Sequence, residues 1–255
     1  MSITQNILLQ PLVLLLLLVT VGCSNFPEPQ VENDEADLVI LAHGLAKSGR
    51  AMGALTKELR AAGYQTCTLD YRSIGIKKKA LIEQAYLQIN SCLDQSANTQ
   101  TVHFVGHSLG GLLIRHYLQE EHAFLQQKRL GRVVMIGTPN HGSAVADHYA
   151  DKFWMNWLGE IPLALTTSEE SFGAMLGDPN YKVGIIAGTQ GYNWTNRYFE
   201  EPNDGLVSVN SAKLANMHAY IEVNLSHHQL RSDPLVVSLV LSYLKYGVFI
   251  KAERL

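Results

Sequence analysis

The chain has 255 residues, 47% of them hydrophobic and 17% charged, which supplies enough apolar mass for one folded core and too much for a disordered chain. Lys and Arg number 20 against 23 Asp and Glu, a formal net charge of -3 with no long basic block, so the electrostatic footprint of a nucleic-acid binder is missing. Three cysteines exclude both a disulfide-knotted scaffold and a cysteine-based zinc module.

Residues 1–22 carry no charged side chain, and 12–19 are Leu and Val only. That run has the length of a secretory signal's apolar core, whereas a full bilayer span needs about 20 apolar residues. It leads into Thr20-Val21-Gly22-Cys23-Ser24, which resembles a bacterial lipoprotein signal, where a Cys after a small residue becomes the lipid-bearing N-terminus. Two features depart from that pattern: Thr20 stands where an aliphatic residue is usual, and no Lys or Arg precedes the run. The expectation is an exported protein of the cell envelope, lipid-anchored through Cys23 on the periplasmic side of a membrane, with plain cleavage of a signal peptide or an uncleaved anchor over 1–22 as the alternatives. Residues 23–37 are polar, acidic and Pro-containing, and read as a tether.

From residue 38 to 255, short β-branched or apolar runs alternate with longer helical patterns, the signature of an α/β domain. Strands are predicted at 38–42, 65–69, 101–105, 132–136, 182–187 and 220–223, and helices at 50–62, 78–93, 109–126 and 234–246. These elements predict a mostly parallel sheet of about six strands with helices on both faces. Cys67 and Cys92 can either bridge in an oxidising compartment or sit as two buried thiols. Residues 143–180 break the alternation and bring Phe153, Trp154 and Trp157 close together. Such an insertion predicts a short lid that lines an acyl pocket, against the plainer reading of a packed helix pair.

Thr101-Val102-His103-Phe104-Val105 leads into Gly106-His107-Ser108-Leu109-Gly110-Gly111, an apolar strand, then G-x-S-x-G, then a helical pattern. This is the context of a nucleophile elbow: a sharp strand-to-helix turn lifts the Ser108 hydroxyl above the sheet, and only small flanking residues avoid a clash. A serine hydroxyl needs a base and an orienting acid, which in a sheet of this kind follow in the order Ser, acid, His. His227, just past the last predicted strand, is the candidate base, with His228 as competitor by adjacency. Asp204, in Asn203-Asp204-Gly205-Leu206-Val207, is the candidate acid, with Glu200 and Glu201 in reserve. The oxyanion needs preset backbone N–H donors. Leu109, directly after the serine, supplies one, and Leu45, after the turn at His43 and Gly44, supplies the other. His43 is expected to organise that loop through a hydrogen bond.

Taken in order, His43-Gly44-Leu45, Gly106-His107-Ser108-Leu109-Gly110-Gly111, Gly137-Thr138-Pro139-Asn140-His141-Gly142-Ser143, Asn203-Asp204-Gly205-Leu206-Val207, and His227 with Leu230 and Asp233-Pro234 resemble the lipases and esterases of the α/β-hydrolase superfamily. The likeness is to bacterial triacylglycerol-lipase-like and GPI inositol-deacylase-like sequences. The resemblance implies the α/β-hydrolase fold and a triad of Ser108, Asp204 and His227; the sequence departs from the family by starting directly at the strand before His43, so the usual first two strands are expected to be absent. It also implies an enzyme that cleaves carboxylic, acylglycerol-type lipid esters without a cofactor; a monomer is expected, and no metal, since the calcium-ligand cluster of some relatives is not evident in this sequence, and no nucleic-acid partner. Its partners would be an ester or lipid substrate and a membrane surface reached through the anchor. The alternatives are an acyltransferase using the same three residues, a short-chain esterase, and a non-catalytic lipid-binding protein of the envelope.

Overall fold

The computed structural model describes residues 36–96, 99, 101–120 and 129–251. Residues 1–22, Cys23 and most of the expected tether lie outside these residues. The described residues belong to one compact unit.

Six parallel strands form one sheet. In chain order these are β1 (Leu38–Ala42), β2 (Gln65–Thr68), β3 (Val102–His107), β4 (Leu130–Ile136), β5 (Val183–Gly188) and β6 (Ala219–Val223). Their order across the sheet is β2-β1-β3-β4-β5-β6, every neighbouring pair parallel. The helices are α1 (Gly53–Ala61), α2 (Lys78–Gln95), α3 (Leu109–Glu120), α4 (Ala144–Ala150), α5 (Glu160–Leu163), α6 (Val209–Ala212) and α7 (Pro234–Tyr246).

Because successive strand side chains point to opposite faces, a strand covered on both sides must be apolar throughout. All five side chains of β1 are buried. Leu38 and Ile40 pack into one core with Leu81, Ile89 and Leu112 of α2 and α3. Val39 and Leu41 pack into the other with Leu55 of α1 and Val240 of α7. Helices therefore cover both faces, as the alternating pattern predicts. α7 begins where it is expected, since Asp233 caps it by accepting from Leu235 N–H at 2.9 Å and Pro234 takes the first turn. It stops at Gly247, whose φ of 79° is the left-handed conformation that closes a helix.

Some boundaries shift for physical reasons. β3 runs past residue 105 to His107, because Gly106 and His107 keep pairing with Met135 and Ile136 up to the elbow. The helix expected over 50–62 opens as a 3-10 turn, Gly49–Met52, before α1. α3 is described to Glu120, and the rest of its predicted length lies outside the described residues.

Cys67 on edge strand β2 and Cys92 on α2 are bridged, with Cα atoms 5.9 Å apart, which decides between the two readings of that pair. Among the described residues no helix is long and apolar enough to cross a membrane.

Candidate active site

The chain reverses its direction across the sheet between β1 and β3, since β2 lies on one side of β1 and every later strand on the other. The loops after β1 and β3 diverge there, leaving a crevice at the carboxyl ends of the strands where ligands of open α/β sheets bind. Ser108 follows β3 directly. His43 and Gly44 follow β1, Asp204 lies beyond β5, and His227 follows β6.

Ser108 has a φ of 55°, a strained value for a residue with a side chain. Its N–H donates to the Ile136 carbonyl at 2.9 Å and its carbonyl accepts from Gly111 N–H at 3.0 Å, so strand and helix clamp the turn from both sides. The flanking glycines are steric requirements. A Cβ on Gly106 would lie 2.5 Å from the Gly111 Cα, and one on Gly110 would lie 2.3 Å from the Ala42 carbonyl oxygen. Gly44 faces the serine, and a Cβ there would stand 3.0 Å from the Ser108 Cβ.

Asp204 is 1% exposed and His227 5%. The Asp204 Oδ2 lies 2.7 Å from the His227 Nδ1. Its other oxygen, Oδ1, accepts from the N–H groups of Leu206 and Val207 at 2.9 and 2.8 Å. The Asp-Gly turn thus holds the carboxylate by its own backbone and aims one oxygen at the imidazole. His227 N–H also donates to the Asp204 carbonyl at 2.8 Å, locking the two loops together. Gly137, at a φ of 54°, passes beneath the pair, and a Cβ there would come within 3.0 Å of Asp204 Oδ2. Neither reserve carboxylate takes this place. His228, the competitor for the base, is exposed and bonds the Tyr192 hydroxyl at 3.1 Å.

The loop after β1 is pinned from the next loop. The Tyr71 hydroxyl donates to the His43 carbonyl, the two rings stack at 4.1 Å, and Ala46 N–H donates to Ser73 Oγ at 2.9 Å. His43 Nδ1 lies 2.9 Å from the Gly44 carbonyl, consistent with a loop-organising role, and burial pushes its imidazole below its ordinary value. Leu45 lines the cavity above this loop, and Leu109 opens α3 beside the serine.

Two residues that the sequence analysis does not single out belong to this framework. His107, the variable residue inside G-x-S-x-G, is buried and lies with Nε2 2.9 Å from the His227 carbonyl oxygen. Burial, reinforced by the positive field of His227, Arg231 and His228, pushes its pKa well below the ordinary 6.5, so it is neutral and donates that bond. Arg115 of α3 is buried too, donating to Asn140 Oδ1 at 3.0 Å and to the carbonyls of Leu176 and Gly177 at 3.0 and 3.1 Å. Its only sequence signal is a charge at a position where α3 is otherwise apolar.

Ser108 and His227 open into one cavity of about 360 Å³. The insertion supplies most of its apolar wall through Tyr149, Trp154, Met155, Leu158, Pro162 and Leu165. Of the three aromatics that mark the insertion only Trp154 lines the cavity: Phe153 and Trp157 are 74% and 76% exposed and pack edge to face on each other at 5.7 Å, outside it. Both exposed rings and the cavity-lining Trp154, Met155 and Leu158 sit on the one short 3-10 helix Phe153–Leu158. Among the described residues no three His, Cys, Asp or Glu side chains cluster as metal ligands.

Comparison with known proteins places this geometry. A family model described as the alpha/beta hydrolase fold matches residues 37–172. A triacylglycerol lipase of Pseudomonas fragi is 34% identical over 99 residues, which cover 38% of this chain and 32% of that relative. The match thus spans about a third of the relative's length. Among solved structures, the mature lipase BlEst2 of Bacillus licheniformis superposes with a TM-score of 0.68 at 20% identity, covering 86% of this chain and 94% of the other. A metagenomic carboxyl esterase superposes with a TM-score of 0.56 at 17% identity, covering 76% and 65%. At these identities the structural likeness is one of fold. With the family model matched across more than half of its length, the chain belongs to the α/β-hydrolase fold family.

Proposed function

We propose that the protein is a serine hydrolase of carboxylic esters, with lipid-type acyl chains as its substrates. The observation that carries this reading is the pairing of Asp204 with His227 at 2.7 Å at the edge of a cavity that also exposes a serine held at a φ of 55°. Ser108 Oγ attacks the ester carbonyl carbon while His227 Nε2 takes the hydroxyl proton. Asp204 holds Nδ1 as the donor and stabilises the imidazolium that forms. The negative charge on the carbonyl oxygen rests on the N–H groups of Leu45 and Leu109. Collapse of the tetrahedral species expels the alcohol, which takes the proton from His227, and leaves Ser108 acylated. Water, deprotonated by His227, then attacks the acyl carbon and releases the acid, restoring Ser108. The apolar wall built by the insertion suits a hydrocarbon chain, in line with the names of the lipase and esterase relatives. Export through residues 1–22, with lipid attachment at Cys23, would set this site beside a membrane.

The test pairs turnover with covalent labelling. The purified full chain should hydrolyse p-nitrophenyl esters and take up one equivalent of a p-nitrophenyl alkylphosphonate on Ser108. Ser108→Ala should lose at least about 10⁴-fold in kcat/KM with an unchanged melting temperature. Retention of turnover in that variant, or labelling at another residue, overturns the assignment. Mass spectrometry of the envelope-fractionated protein tests the anchor, since a mature chain lacking a lipid on Cys23 rejects it.

A further inference from the structure

We infer that the ester taken by this cavity carries an anionic group on its alcohol portion, held between Lys47 and Arg231. This rests on the hydrolase reading above and adds the class of substrate.

The cavity wall has two characters. Besides the apolar insertion the lining includes Lys47, from the loop after β1, and His228 and Arg231, from the turn that carries His227. Among the described residues no Asp or Glu side chain lines the cavity. Among the described residues neither the Lys47 ammonium nor the Arg231 guanidinium has a hydrogen-bond or ion-pair partner. The chain carries 23 carboxylates, so two unpaired cations at one mouth are not forced by composition. Both also act on the His228 imidazole in the same lining: burial first, and then the charges of Arg231 and Lys47, hold its pKa down, while Asp204 raises it. Like charges gathered beside a low-dielectric wall repel one another, and an anion placed among them relieves that repulsion.

Their position selects the alcohol rather than the acyl chain. His227 must hand its proton to the departing oxygen, so the alcohol leaves on the side of the His227 turn. His228 is its neighbour, and Arg231 lies at the end of the same turn, which is closed by Leu230 N–H donating to the Ser226 carbonyl at 3.1 Å. The acyl chain lies against the insertion on the other wall. An alcohol bearing a phosphate or carboxylate would put that group between a planar guanidinium suited to two-point contact and a mobile ammonium.

The experiment compares hexanoyl esters of glycerol, glycerol 3-phosphate and glycerate on the full chain, as monomers below any aggregation threshold. The expected result is a kcat/KM for the phosphate ester about tenfold or more above that of the glycerol ester at low salt, falling as ionic strength rises. Replacing both cations, Lys47→Gln with Arg231→Gln, should bring that ratio to within about twofold of unity, a change of preference that general damage to the fold would not produce. Preference for phosphate over glycerate identifies the anion as phosphate, and equal preference identifies any anion; both support the proposal. A ratio near or below unity in the parent protein, or a ratio the double variant keeps, overturns it. Absence of turnover on every ester overturns the hydrolase reading instead, and binding then decides. Hexanoyl glycerol 3-phosphate titrated calorimetrically into Ser108→Ala should bind at least about tenfold more weakly when both cations are replaced, and equal or undetectable binding overturns the proposal.

Discussion

The floor and the roof of the cavity are built by different rules. The floor is made of strand ends, and its functional residues are held by backbone bonds, Ser108 to Ile136 and Gly111 and Asp204 to His227, with the Asp204 carboxylate also accepting from Leu206 and Val207. The roof, residues 143–180, contains only short helical turns and displays Phe153 and Trp157 to solvent. A position on the floor can move little because a sheet and two cores lie beneath it, and catalysis needs donors and acceptors fixed before the charge develops. The roof needs apolar area more than exact placement, since a hydrocarbon chain is recognised by burial.

The largest expected effect that separates the two is on the floor. Asp204→Asn keeps the shape of the carboxylate but no longer stabilises the His227 imidazolium, and kcat should drop by about 10³- to 10⁴-fold with little change in melting temperature. Steady-state kinetics beside calorimetry checks this, and a loss under tenfold would show that Asp204 does not orient the base.

Next comes the tie between the regions. Arg115 joins α3 of the floor to the carbonyls of Leu176 and Gly177 at the end of the roof, and to Asn140. Arg115→Met should destabilise by about 2–4 kcal/mol, because two buried acceptors, Asn140 Oδ1 and the Leu176 carbonyl, lose their donor along with the partly buried Gly177 carbonyl. Denaturant melts measure it. A variant as stable as the parent would mean that floor and roof are not tied through this residue.

A smaller effect is set by acid. His107 is buried and its folded pKa lies well below 6.5, so the unfolded chain takes up a proton below that pH that the folded chain refuses. The stability this contributes is complete above about pH 6.5 and is lost as the pH falls from there toward the folded value. The melting temperature of the parent should therefore decline between pH 7 and 5 more steeply than that of His107→Gln. Parallel curves would show that the folded chain takes up this proton as readily as the unfolded one, and so that burial does not hold His107 neutral.

On the roof, Trp154→Ala should reduce the ratio of long-chain to short-chain ester kcat/KM by about five- to tenfold, through lost apolar contact. Trp157→Ser, outside the cavity, should alter stability by no more than about 0.5 kcal/mol and leave that chain-length ratio as it was. Equal shifts in the ratio from the two substitutions would erase the distinction between the wall and its outer face.

Much of the floor is legible along the chain because its requirements are local. A serine between glycines after an apolar strand, and an aspartate before a glycine, declare a backbone conformation that few other residues tolerate. The roof is less legible: Phe153, Trp154 and Trp157 look alike in sequence, and their division between wall and solvent follows from the rotation of short turns over the sheet. His107 escapes notice because its partner is a carbonyl 120 residues away.

Apolar runs alternating with helical patterns, turn glycines and the order of the motifs determined by themselves a mostly parallel sheet of about six strands, its two covered faces and the places where Ser108, Asp204 and His227 stand along the chain. Only the tertiary structure decided that Asp204 rather than Glu200 or Glu201 meets the imidazole, that Cys67 and Cys92 bridge, and that Lys47 and Arg231 share one cavity mouth. Local patterns act through backbone sterics and burial, which a short stretch already specifies. Contacts between distant residues depend on which strands lie side by side, and that order is set by the packing of the whole sheet.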